Sequence, residues 1–245
     1  EAHKGDLTEM IVDRKLHECR NETNVLQDLS FEAIVGWAEN GAVVHYRVSE
    51  ESSLPIKGQG LLLIDSGGQY LDGTTDVTRT IALGGAPTAE QKRNFTLVLK
   101  GHIGVATAIF PEGTTGAQID VLARKALWEA GLDYGHGTGH GVGCYLSVHE
   151  EATYIAPRSY EVFKPGMVVS NEPGYYKENE YGIRIESLVV VVETGKTLDD
   201  GRKLLGFETI TMVPLDEKLI DWDILTNDEI QWVKDYQETV EKALA

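Results

Sequence analysis

The chain has only two cysteines, Cys19 and Cys144, in 245 residues. That is too few for a disulfide framework and favours a reducing compartment. Long hydrophobic runs are missing as well. Leu61–Ile64 and Leu188–Val192 are far too short to cross a bilayer, so no membrane partner is expected. No charged segment followed by an apolar one opens the chain, and the expected location is cytoplasmic. Without a secretion signal, the sequons Asn21-Glu22-Thr23 and Asn94-Phe95-Thr96 read as chance matches. Basic residues are scarce: 22 Lys and Arg stand against 39 Asp and Glu, for a formal net charge of −17. Phosphate backbones need basic patches, so nucleic acid is excluded as a partner. No Pro/Ser-rich linker or low-complexity tract interrupts the chain. Its length suits one large domain or two small ones.

What is present alternates between helix and strand signals. Helix starts are marked by capping boxes or an Asp variant at Asp6-x-x-Glu9, Thr88-x-x-Gln91, Thr115-x-x-Gln118 and Thr226-x-x-Glu229. The second predicted helix carries residues 94–110 and ends before Pro111. The third runs through residues 119–130 and stops at Gly131. Short β-branched stretches at 42–48, 61–67, 76–83, 167–173, 182–193 and 207–215 read as strands. The strand pairs look like hairpins, which predicts an α+β fold with largely antiparallel sheet. Residues 61–80 and 167–192 share one plan: strand, carboxylate, Gly-rich connection, strand, carboxylate. The acids are Asp65 and Asp76 in the first, Glu172 and Glu186 in the second. Two such hairpins suggest two related halves facing each other.

The acids sit in unusual places. Asp65 ends an apolar strand, although burying an isolated charge is costly. Asp76, Thr78 and Thr80 share one face of the return strand. Turn capping by the two aspartates is an equally ordinary reading. Glu186 lies inside a β-branched strand and needs a partner. Arg184, two positions before it, is on the same face, so a buried Arg–Glu pair is the bland alternative. Two bare carboxylates about 4 Å apart repel by roughly 4 kcal/mol at an effective dielectric near 20. Divalent cations remove that cost. Four carboxylates and one imidazole form a hard, oxygen-rich set, suited to Mn, Co or Fe. Such a set can hold two ions roughly 3.5–4 Å apart.

The imidazole points to residues 135–143, "GHGTGHGVG", with five glycines and two histidines. The glycine content argues against a helix despite the four-residue spacing of His136 and His140. No Gly-Lys-Ser/Thr follows, which weighs against a phosphate loop, and no strand–helix context supports a dinucleotide site. An extended, closely packed loop fits better, with one histidine on the metals and another free. By alternation His45 shares a face with Val43 and Arg47; His149 follows in "YLSVHE". His3, His17 and His102 lack supporting context and read as surface or core.

The stretches "LLLIDSGGQYLDGTTDVTRTIALG", "HGTGHGVGCYLSVHE", "NEPGYY" and "GIRIESLVVV" closely resemble the metal-dependent Xaa-Pro aminopeptidases of the pita-bread peptidase superfamily, cytosolic aminopeptidase P type. The resemblance implies an α+β pita-bread fold with two pseudo-symmetric halves, mainly antiparallel curved sheet and outer helices. It implies Asp65, Asp76, His140, Glu172 and Glu186 as ligands of two divalent ions, Mn by expectation, with Zn or Co able to occupy the site. Asp76 and Glu186 would bridge the ions. His45, His136 and His149 would bind substrate or handle protons, Arg184 would support the bridging glutamate, and Thr78 would be a further donor beside it. The implied reaction is hydrolysis between an N-terminal residue and a following proline by a metal-bridging hydroxide, with Glu172 relaying the proton. Peptides with proline in second position would be the partners, and the full-length protein would be a homodimer. Residues 1–245 would be one catalytic domain, lacking its first helix and the upstream non-catalytic domains. The rivals are a prolidase restricted to Xaa-Pro dipeptides and an inactive peptidase-fold binding module or fragment.

Overall fold

A computed structural model describes residues 7–150 and 152–245. His3 and Asp6 lie outside the described residues. The first helix, α1 (Glu9–Asn21), is capped by Thr8, whose hydroxyl accepts from the Ile11 N–H at 3.3 Å. The boxes at Thr88, Thr115 and Thr226 open α2 (Ala89–Ala106), α3 (Gly116–Glu129) and α4 (Asn227–Leu244) as the sequence predicts. Gly131 follows α3 at φ +75°, a left-handed conformation that suits glycine at a helix end.

Every strand pairing among the described residues is antiparallel. In the first half, Gly60–Ser66 lies between Ile34–Trp37 and Val77–Leu83. A small hairpin, Gly68–Tyr70 with Gly73–Thr74, is inserted before the return strand. In the second half, Val168–Asn171 pairs with Ser187–Thr197, which continues through Lys203–Thr209 to Ile109–Pro111. Here too a hairpin is inserted, Gly174–Lys177 with Tyr181–Arg184. The shared plan expected for 61–80 and 167–192 is therefore real in three dimensions.

Helices cover these sheets. Phe95, Val98, Leu99 and Ile103 of α2 pack with Ile183 and Ile185, and Val233 and Val240 of α4 close the same cluster. Ile119 and Ala123 of α3 pack on Phe110, Phe163, Val189 and Val191. Burying a large aliphatic or aromatic side chain contributes about 1.5–3 kcal/mol, so these contacts set the positions of the strands beneath.

Four sequence expectations change. Residues 42–48 are not a strand. Ala38–Ala42 forms a short 3-10 turn with Ala38 at φ +48°, and His45 sits on a turn rather than a pleated face. The strand lies earlier, at Ile34–Trp37. The second helix ends at Ala106, because Ile109–Pro111 leaves to pair with Leu204–Gly206. The run 182–193 is two strands, broken at Ile185–Glu186. Its break has a cause: the Glu186 N–H donates to Thr78 O at 3.1 Å, and the Glu186 carbonyl accepts from the Arg79 guanidinium. The final strand is Lys203–Thr209, not 207–215. Beyond it, the carbonyls of Val213 and Pro214 accept from Arg79 instead of a neighbouring strand.

Candidate metal centre

The two hairpins deliver the acids to one place. Asp65 lies opposite Thr78 in the first ladder, which puts their side chains on the same face. Asp76 immediately precedes that return strand. In the second half, Asn171 lies opposite Ser187, so Glu172 and Glu186 flank the mouth of the hairpin. The imidazole comes from the Gly-rich loop. Gly139–His140 is a two-residue strand against Tyr154–Ile155. A Cβ on Gly139 would lie 1.9 Å from Ser170 O, so only glycine permits this approach to the second hairpin. The His140 N–H donates to Ser170 Oγ at 2.9 Å and completes the seam.

His140 Nε2 is 3.3 Å from Asp76 Oδ2 and 3.4 Å from Glu172 Oε1. Single ligand atoms of Asp76, His140 and Glu186 lie within 4.8 Å of one another. His140 Nδ1 is 2.9 Å from Gly141 O, an acceptor only, so Nδ1 carries a proton and Nε2 is the ring atom turned toward the acids. Asp65 places Oδ2 at 2.7 Å from Arg184 Nη2, while its buried Oδ1 has no hydrogen-bond partner. Burial, followed by the charges of Asp65 and Glu172, pushes the Asp76 carboxyl well above its usual range. Burial, then Asp76 and Glu172, does the same to Glu186, and burial raises Glu172. The cluster is thus short of positive charge, and its oxygen-rich donor set with one imidazole fits two divalent cations.

Around the acids runs a chain of donors. Thr78 Oγ1 donates to Glu186 Oε2 at 2.8 Å and accepts from Arg184 Nε at 3.1 Å. Arg184 therefore pairs with Asp65 and reaches Glu186 only through Thr78, so the direct Arg–Glu pair is replaced. Arg184 Nη1 donates to Tyr176 OH at 2.7 Å, and that hydroxyl lies 2.8 Å from His136 Nε2. His136 Nδ1 is 2.7 Å from Gly137 O, so it holds the ring proton and Nε2 accepts from Tyr176. Both ring nitrogens of His136 are thereby engaged. Burial lowers its pKa to about 4, which keeps it neutral.

A cavity of about 350 Å³ opens over this floor and is lined by all four acids and the His140 imidazole, by Arg184, and by His45, His136 and His149. The His149 ring lies 4.0 Å from that of His140, and burial followed by His140 and His45 lowers its pKa. Phe31, Ile34, Val44, Val148 and Tyr154 add an apolar wall. His102 belongs elsewhere: it is buried in α2 with Nδ1 3.1 Å from Asn171 O. His17 lies in α1, away from the cavity. The sequon at Asn94 is buried, with its amide donating to Tyr181 OH at 2.9 Å.

Sequence reasoning assigned no role to Tyr176, nor to the brace behind the Gly-rich loop. Arg124 Nε binds Asp120 Oδ2 at 2.7 Å, and its Nη2 donates to His136 O at 2.7 Å. Thr138 Oγ1 donates to Asp120 Oδ1 at 2.6 Å. The four-residue Asp–Arg spacing on α3 was the available signal, but the same spacing marks many solvated pairs.

A buried acid cluster shaped for two cations, under a cleft of small-peptide size, defines the metallohydrolase class. The model of metallopeptidase family M24 matches residues 2–193, and that of the C-terminal region of peptidase M24 matches residues 203–245. The chain belongs to metallopeptidase family M24. A Laccaria bicolor protein named "Probable Xaa-Pro aminopeptidase P" is 50% identical over 226 residues, covering 91% of this chain and 35% of the relative. The X-prolyl aminopeptidase of Caenorhabditis elegans, described as a cytosolic enzyme with a di-nuclear active site, superposes with a TM-score of 0.89 at 38% identity, covering 96% of this chain and 38% of that one. A prolidase from Pyrococcus furiosus superposes at 0.70 with 30% identity, covering 82% and 54%. The chain thus spans little more than a third of the two aminopeptidase relatives. No helix among the described residues is long and apolar enough to cross a membrane.

Proposed function

We propose that this chain is the catalytic part of an Xaa-Pro aminopeptidase, which removes an N-terminal residue from peptides with proline in second position. One observation carries the reading: the buried Asp65, Asp76, His140 and Glu186 meet the partly buried Glu172 at the floor of a cavity whose wall is histidine-rich and apolar. These five residues would hold two divalent ions; Mn suits the donor set, and Zn or Co would also be accepted. When bound, the ions supply Lewis-acid charge that acidifies a water and polarises a carbonyl.

The chain's own residues do the rest. Glu172 Oε1 accepts from Ser170 Oγ at 2.9 Å and faces His140, which leaves Oε2 to take the attacking water's proton and return it to the departing proline nitrogen. His149, neutral at working pH, donates through its ring N–H to the carbonyl oxygen as negative charge develops there. His45 stands on the same cavity and orients the substrate. His136 is tied up by Gly137 and Tyr176, so it shapes the proline side of the cavity rather than moving protons. Arg184 holds Asp65 and, through Thr78, orients Glu186. The proline nitrogen has no N–H to offer, and an apolar wall accepts its ring. The residues form one catalytic unit of a cytosolic protein, assembled as a homodimer at full length.

The deciding experiment is release of the N-terminal residue from an Xaa-Pro-Pro tripeptide with added Mn²⁺, beside an Xaa-Pro dipeptide and a proline-free control. Cleavage of the tripeptide and not of the control is expected. Cleavage of the dipeptide alone would replace this reading by prolidase activity, and no cleavage by the metal-loaded full-length protein would overturn peptidase function.

A further inference from the structure

α1 buries one residue, and it is a glutamate. Glu9 is fully buried at the first position of the helix. Among the described residues no cation pairs with it. Its partners are neutral donors instead. Oε1 accepts from the Trp37 N–H at 2.6 Å, and Oε2 accepts from the Leu54 N–H at 2.8 Å. Asn40 Nδ2 donates to both oxygens, at 3.1 and 3.0 Å, and the Tyr46 hydroxyl lies 3.0 Å from Oε2. Ser52 O lies 3.1 Å from Asn40 Nδ2 and 3.0 Å from Tyr46 OH and competes with Glu9 for their protons.

These donors have a common address. Trp37 ends the strand Ile34–Trp37, Leu54 lies beyond the 3-10 turn and the loop that follows it, and Asn40 and Tyr46 lie between them. Residues 43–54 have no helix or strand of their own, and connections approaching about 12–15 such residues are usually functional. Val44, His45 and Arg47, beside Tyr46, line the cavity that holds the metal centre. One carboxylate thus cinches the whole segment that carries His45. An apolar side chain would fill the same space, but it would not fix the segment's direction. A fully satisfied buried polar network does.

We infer that Glu9 is a positioning residue for His45, acting through the closed 37–54 segment on the substrate side of the cavity. The inference rests on the peptidase reading for its kinetic consequence, but not for its structural one. Glu9→Gln keeps the size of the side chain and replaces one acceptor oxygen by a donor, so one of the two backbone N–H groups loses its partner.

The test uses the full-length, Mn²⁺-loaded protein. Wild type, Glu9→Gln, His45→Ala and the double variant are compared for cleavage of an Xaa-Pro-Pro tripeptide, metal content and backbone hydrogen exchange. The expected result is a loss of about 100-fold in kcat/KM for Glu9→Gln, the scale of a misplacement near 1 Å. Metal content should be unchanged, and faster exchange should be confined to 37–54. Adding Glu9→Gln to His45→Ala should cost little more than His45→Ala alone, because coupled residues are not additive. Losses that multiply, metal that is lost, or exchange that quickens across α2 and both hairpins would overturn the inference. Should Glu9→Gln fail to fold, Tyr46→Phe removes a single donor and should show the same pattern at about 3- to 10-fold. Unchanged turnover and exchange in that variant would also overturn it. Wild-type protein that cleaves no peptide would sink the peptidase reading, while the exchange data would still decide whether Glu9 closes the segment.

Discussion

The two hairpins that meet at the candidate metal centre follow one plan but balance their acids differently. Asp65 and Glu186 are each served by the opposite hairpin. Asp65 of the first receives a full positive charge, the Arg184 guanidinium at 2.7 Å. Glu186 of the second receives only a hydroxyl, Thr78 Oγ1 at 2.8 Å. The difference locates the demand for cations. Asp65 is half compensated by protein, whereas Asp76 and Glu186 have each other's charge and little else. A symmetric plan has become an asymmetric electrostatic site, with the guanidinium on one side and the need for metal on the other.

The largest effect should come from removing the uncompensated acids. Glu186→Ala or Asp76→Ala should lower peptidase turnover by at least about 10³-fold, the scale of several kcal/mol of metal-derived stabilisation. Metal content measured on the purified variants should fall with it. Near-normal turnover with full metal would break the comparison outright.

Next in size is removal of the compensating charge. Arg184→Met leaves Asp65 buried and unpaired, and should destabilise the fold by about 3–5 kcal/mol. Urea unfolding would read this as a lower midpoint with an unchanged slope. A smaller loss would mean that Asp65 is balanced by something other than Arg184.

A third test concerns the second half alone. His102, behind Asn171, is neutral because burial, followed by the Arg79 charge, lowers its pKa to about 3. Its value in the unfolded chain is about 6.5, so between pH 6.5 and 3 the unfolded state binds the extra proton. Stability therefore falls as pH drops through that window, by about 2 kcal/mol between neutrality and pH 5. The carboxyls of Asp76, Glu172 and Glu186, which burial raises, act in the opposite direction. His102→Gln should therefore flatten the acid side of the stability curve, measured on metal-loaded protein. An identical slope in both proteins would show that His102 is not responsible.

The smallest effect is also the sharpest in sign. Without metal, Glu186→Gln removes repulsion with Asp76 and should raise Tm by about 2–4 °C, the shift expected from about 1 kcal/mol in a chain of this size. With metal the same variant should lower Tm. A drop in both states would mean that Glu186 is a structural acid rather than part of a cation site.

Much of this arrangement is legible in one dimension. Asp65 follows apolar strand residues, Glu172 follows a strand, Asp76 precedes one, Glu186 interrupts one, and His140 stands in a Gly-rich loop, so their positions mark them in the sequence. The capping boxes mark three helix starts because they are local hydrogen bonds between residues three apart. Residues 42–48 mislead for the opposite reason. Their β-branched pattern is local, but the groups that satisfy the segment, Glu9 above all, lie far away in the chain. The same holds for Ile185–Glu186, where backbone bonds to Thr78 and Arg79 override an unbroken strand pattern.

The sequence alone determined the kinds of atoms available: hard oxygen donors, one glycine-flanked imidazole, few cations to neutralise them, and the repeat that pairs the acids. It could do so because side-chain chemistry and strand periodicity are properties of short stretches. Only the tertiary structure decided which charges face each other. Arg184 turned to Asp65 rather than Glu186, His136 spent both ring nitrogens on Gly137 and Tyr176, and Glu9 closed the segment that carries His45. Those choices depend on distances across the fold, and an interaction that falls with separation in space is not ordered by separation along the chain.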